Sequence, residues 1–95
     1  MLTHIVFFKL HDRSRENAEK LRDALETLRG QIAQIRAMEI GINVVASERA
    51  YDVALTQRFD SLAAMQEYQA HPAHQAVLPF LRAASASIVS VDYTN

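Results

Sequence analysis

The chain has no cysteine among its 95 residues, so neither a disulfide framework nor a thiolate metal site is available to hold it together. It has only two glycines and two prolines, and neither Gly30 nor Gly41 belongs to a phosphate-cradling loop. That scarcity excludes collagenous and low-complexity architectures. A surplus of one charge is missing as well. Ten Lys and Arg face eleven Asp and Glu, a net charge of −1. Such a balance cannot neutralise many phosphates or anionic lipids, so neither nucleic acid nor a membrane surface is an expected partner. No apolar run approaches the ~18 residues of a membrane span, and the first residues lack the basic-then-apolar order of a secretion signal. The expected compartment is the cytoplasm. No serine has the flanking glycines of a nucleophile elbow.

What is present is a folding composition, 49% hydrophobic and 22% charged. A chain of this length reads as one domain, residues 1–95, able to bury about 65% of its unfolded surface. That is a modest core, so stability must come from close packing or from a second copy.

Leu2 to Leu10 is rich in β-branched and aromatic residues on both alternating faces. Leu2, His4, Val6, Phe8 and Leu10 line one face, Ile5 and Phe7 the other, which predicts a strand buried on both sides. Asp12 or Ser14 then offers a cap for a helix from about Arg15. Ala18, Leu21, Leu25, Leu28 and Ile32 recur at helical spacing, with Gly30 near the helix end. Met38 to Val45 alternates again, with Ile40, Ile42 and Val44 on one side. A hairpin through Ala46–Ala50 leads to Tyr51–Phe59, whose Tyr51, Val53, Leu55 and Phe59 share a face. Asp60 and Ser61 precede a helical spacing of Leu62, Met65 and Tyr68. Pro72 implies a break and restart, and Pro79 a further kink or break. Ser87–Tyr93 closes the chain as a fourth strand.

Strand, helix, strand, strand, helical segment, strand is the order of an α+β ferredoxin-like plait: a four-stranded antiparallel sheet with helices on one face. The opposite face keeps Ile5, Phe7, Ile40 or its alternates, and apolar residues of the last strand. A patch of that kind marks a protein contact, and two copies pairing sheet to sheet would bury it.

Chemistry, if any, concentrates in the histidines. His11 lies in a polar link. His4 faces the aliphatic side of its strand, where it needs a hydrogen-bond partner. His71-Pro72-Ala73-His74 follows Tyr68 by three to six residues, so the helical break gathers two imidazoles and a phenol. A neutral imidazole beside a phenol is suited to general acid/base work. The structural alternative has His71 capping the restarted helix, His74 bonded to a carbonyl and Tyr68 as a core residue. Metal binding by His71 and His74 lacks a third ligand.

Taken in order, His4-Ile5-Val6-Phe7-Phe8-Lys9-Leu10, Gly41-Ile42-Asn43-Val44, Tyr51-Asp52-Val53-Ala54-Leu55, Phe59-Asp60-Ser61 and Tyr68-Gln69-Ala70-His71-Pro72-Ala73-His74 resemble the stress-responsive A/B barrel domain, the Dabb family. The similarity covers nearly the whole chain, and the last segment is its most specific piece. It implies a ferredoxin-like protomer that forms a dimeric α+β barrel. The best understood relative is plant olivetolic acid cyclase, a cofactor-free polyketide cyclase. Its catalytic histidine and tyrosine correspond to His74 and Tyr68, and its first-strand histidine to His4. A pocket histidine of that enzyme falls where this chain has Val53, which implies a different substrate pose.

The resemblance therefore implies His74 as general base and Tyr68 as its hydrogen-bond partner or an oxyanion donor. His4 and His71 become ligand-binding groups, with no cofactor, no metal and a small apolar molecule as ligand. The rival expectation is a non-catalytic stress-related or ligand-binding homodimer whose cleft is filled by its own side chains. One open cleft shared by His4 and His74 favours the first; separate closed regions favour the second.

Overall fold

The computed structural model describes all 95 residues. The two-sided apolar segment forms β1 (Leu2–Leu10), which pairs along its length with two neighbours and so occupies the sheet interior. The remaining elements are α1 (Arg15–Glu26), β2 (Ala37–Ile42), β3 (Val53–Phe59), α2 (Leu62–Ala70), α3 (Pro72–Ala84) and β4 (Ser85–Thr94). The sheet runs β2-β3-β1-β4, antiparallel throughout, with the helices on one face. This is the expected ferredoxin-like α+β plait.

Local chemistry explains the helix ends. Ser14 accepts the Asn17 N–H and caps α1, while Asp12 accepts the Ser14 N–H just outside it. Ser61 caps α2 in the same way through Ala64. The α1 helix ends at Glu26, earlier than its apolar stripe, yet Leu28 and Ile32 stay buried. Tight i to i+3 turns carry the chain past Gly30, whose φ of 79° suits glycine.

Three local expectations need correction. The second strand stops at Ile42, and Val44 and Val45 are 86% and 69% exposed in the hairpin loop. Their alternation does not bury them, because strand pairing with β3 ends at Val53. Tyr51 does not share the face of Val53. A bend at Asp52 breaks the two-residue period there. The Tyr51 ring instead meets Phe7 on the open face, its hydroxyl 2.9 Å from Ser87 Oγ. The Asp52 carboxylate turns inward, where it accepts the Leu10 N–H at 2.8 Å and Arg13 Nε at 3.1 Å. Finally, of the kink or break expected at Pro79 the break does not occur, since α3 continues through it. That proline lies on an exposed position, where water can serve the carbonyl its ring leaves unpaired.

The core lies between sheet and helices, built on Leu2, Val6, Phe8 and Leu10 of β1, Val53, Leu55 and Phe59 of β3, and the helical residues Leu21, Leu25, Met65, Tyr68 and Leu81. The other face of the sheet is bare. Phe7, Val89, Val91 and Tyr93 stand on it at 41 to 60% exposure.

Truncating Phe59, which is fully buried against the His4 and Tyr68 rings, removes a central packing element. Phe59→Ala should cost about 3–5 kcal/mol in urea unfolding, whereas Val44→Ser should stay within about 0.5 kcal/mol.

Candidate active site

His4 points from β1 into the helix side and is 7% exposed, so its ring nitrogens must find partners within the fold. The β1–β4 register sets Asp92 directly opposite, and the two side chains bond through His4 Nδ1 and Asp92 Oδ1. Toward a carboxylate oxygen the imidazole is the donor, so His4 Nδ1–H donates to Asp92. The partner that His4 needs on this face is thus a carboxylate brought across the sheet by strand register.

Tyr68 reaches the same place from the last turn of α2. Its ring lies 6.5 Å from that of His4 and 4.6 Å from that of His74, centroid to centroid. Burial pushes the phenol pKa up, and the Gln57 amide beside it works in the opposite direction. The phenol is thus held in its protonated, donating form.

His74 stands in the first turn of α3. Its Nδ1 lies 3.0 Å from the Gln69 carbonyl, an obligate acceptor, so Nδ1–H donates and Nε2 is the basic atom of this ring. Burial first, then the nearby His4 and Arg82, lower its pKa from the ordinary 6.5, against the opposing pull of the Gln69 carbonyl. At neutral pH His74 is therefore a neutral imidazole with a free lone pair. That is the state a general base requires.

These three side chains line one open cleft of about 470 Å³ between the sheet and α2–α3. Val6, Phe8, Leu55 and Leu78 make its wall apolar, and Gln69, Gln75, Arg82 and Ser90 supply its polar groups. His4 and His74 thus share one solvent-connected space.

His71 is not among the residues lining the cleft. It ends α2 and begins α3, and its Nδ1 accepts the Ala73 N–H at 3.0 Å. Its side chain is spent on the helix restart, so its bearing on the cleft is through placing His74 three residues later. No group of three or more His, Cys, Asp or Glu converges in a way that could hold a metal ion.

Two polar residues of the site escaped sequence reasoning. Asp92 is the one acid in the terminal strand, on the same parity as Ile88 and Ser90, a visible signal without a visible partner. Gln57 is the polar interruption between Leu55 and Phe59 on the buried parity of β3, opposite His4 in register. It is completely buried, donates to Met38 Sδ at 3.4 Å, and its Oε1 has no partner.

A ferredoxin-like plait with a ligand-sized cleft under its helices, and imidazoles and a phenol meeting there, defines a class of small α+β proteins with a pocket on the helix side of the sheet. The family model of the stress responsive A/B barrel domain, Dabb, matches residues 2–95, and the chain belongs to that family. An uncharacterized protein of Streptomyces coelicolor is 32% identical over 96 residues, covering 98% of each chain. Among solved structures, a dimeric protein of unknown function with a ferredoxin-like fold from Bacteroides fragilis is 32% identical. Its TM-score is 0.83, with 99% of this chain and 95% of that one covered. A dimeric ferredoxin-like protein of unknown function from Thermobifida fusca is 25% identical, with a TM-score of 0.86 and 99% and 90% of the two chains covered.

The lowered His74 pKa has a consequence for stability. A group that binds its proton less readily when folded stabilises the fold above its unfolded pKa, and that contribution is lost as pH falls from 6.5 through the lower folded value. Urea unfolding across this range should show wild type losing more stability on acidification than His74→Gln. Parallel profiles would exclude a burdened imidazole.

Proposed function

We propose that the chain is a homodimeric, small-molecule-binding domain whose cleft carries out cofactor-free proton transfer on a small, mostly apolar carbonyl compound. A single observation carries this reading: His74 and Tyr68 are in ring contact, and together with His4 they face one open cleft. In this assignment His74 Nε2 removes a proton from a carbon next to a carbonyl. The buried phenol of Tyr68 donates a hydrogen bond to the oxygen on which negative charge gathers. His4, oriented by Asp92, positions the substrate, and the apolar wall excludes water from the developing enolate. An aldol-type ring closure of polyketide cyclase kind falls within this chemistry.

A site that binds without turnover is the second reading. The His71 cap and the His74–Gln69 bond favour it, since both are what a purely structural arrangement would contain. The open volume beside His74 and Tyr68 argues against a cleft plugged by its own side chains.

Two observations support the homodimer. The uncovered face of the sheet is apolar through Phe7, Val89, Val91 and Tyr93, and the relatives from B. fragilis and T. fusca are described as dimeric. A cytoplasmic location and a stress-related role, both expected from the sequence, form part of the same proposal.

Deuterium incorporation from D₂O into a panel of apolar ketones and β-keto thioesters tests the chemistry. Exchange should exceed buffer, fall by about 10²–10⁴ in His74→Ala, and fall substantially in Tyr68→Phe. Undiminished exchange in His74→Ala, or none above buffer in the wild type, removes the enzymatic reading.

Light scattering tests the assembly. The wild type should show twice the chain mass and Val91→Asp the mass of one chain; a wild-type monomer defeats the dimer.

A further inference from the structure

The proposed acid/base groups occupy one end of the cleft, and the other end is built differently. α3 passes directly into β4 at Ser85, so the two run antiparallel, with His74 at the Asp92 end and Arg82 at the Ile88 end. Eight residues of helix from His74 to Arg82 rise about 12 Å. Four residues of β1 from His4 to Phe8, which faces Ile88, span about 13 Å. These are backbone spans; the Arg82 guanidinium itself reaches near enough for its charge to act on the His74 ring.

Arg82 is the one Lys or Arg side chain lining this space, and it makes no hydrogen bond or ion pair within the chain. Most arginines here are otherwise engaged: Arg13 with Asp52, Arg15 with Glu19, Arg22 with Asp23, Arg29 with Glu26 and Arg36 with Asp60. Arg82 and Ile88 both line the cleft and both meet solvent, Ile88 at 42% exposure. Midway, the Ser90 hydroxyl lines the cleft with no partner in the chain. The lining thus combines one unpaired cation with a mostly apolar wall and the imidazoles of His4 and His74.

We propose that the ligand is an amphipathic monocarboxylate, its carboxylate held in the fork of Arg82 and its hydrocarbon body along Phe8, Leu78 and Leu81. This places its reactive end beside His74 and Tyr68. The assignment rests on the cleft being the working site and names what enters it. Guanidinium matches a carboxylate through two parallel N–H donors. A lone guanidinium at the C-terminal, negative end of the α3 dipole suits a monoanion better than a doubly charged phosphate.

Octanoate and 1-octanol, equal in hydrocarbon and different in charge, are the probes. Binding is measured by calorimetry and located by NMR of the His74 ring, in wild type, Arg82→Gln and Arg82→Lys. Octanoate should bind about tenfold or more tightly than octanol. Arg82→Gln should erase that advantage without changing octanol affinity or the thermal midpoint, and Arg82→Lys should restore part of it. Equal affinities in the wild type, or a variant that weakens both probes alike with a lowered midpoint, overturn the carboxylate assignment. The second result would leave Arg82 as a helix-end stabiliser. If both probes bind equally and shift the His74 signals, the cleft reading survives alone. If neither probe binds, or binding leaves those signals unmoved, both proposals fall.

Discussion

The helix-facing row of β1, Leu2, His4, Val6, Phe8 and Leu10, must be kept dry, and much of the molecule is arranged around that need. Three helices and the inward side of β3 cover it with hydrocarbon. One member of the row is an imidazole, which cannot be left unpaired in such surroundings without a free-energy cost of several kcal/mol. The solution is the carboxylate of β4. The burial of one strand therefore determines why the last strand carries an acid, and why that acid stands where a site can use it.

The same constraint explains the cleft. Packing a row of mixed polarity is harder than packing a uniform one, because rings that need hydrogen-bond partners cannot interdigitate freely. Around His4 the neighbours are Phe59, Tyr68 and Gln57, and the unpartnered Gln57 Oε1 marks the place where packing and polarity are least reconciled. Sites of chemistry are where such local inconsistency is expected. Where Phe8 and Ile88 face each other the row is apolar, and the exposed Arg82 joins the cleft lining.

The two sides of the sheet divide the labour. The helix side holds the core and the cleft, while the bare side presents Phe7, Val89, Val91 and Tyr93, an apolar surface of the kind that a second subunit covers. Tyr51 belongs to this second surface through Phe7 and Ser87, although its place in the sequence suggested the first. A bend of one residue at Asp52 moved it across.

Much of this was legible in the order of residues. The periods of two and 3.6, the caps Ser14 and Ser61, and the break at Pro72 state which residues are buried and where elements begin, because burial and capping are decided within a few residues. The segment from Tyr68 to His74 likewise announced a phenol and two imidazoles at a helical break. Its division of roles was not legible: His71 is consumed by capping α3, while His74 faces the cleft. The partner of His4 lies 88 residues away and is supplied by the β1–β4 register. Arg82 lines the cleft as its one cation because the sheet folds β4 back beneath α3. Local pattern records how each segment meets water; which polar groups meet one another is settled only when the strands choose their neighbours.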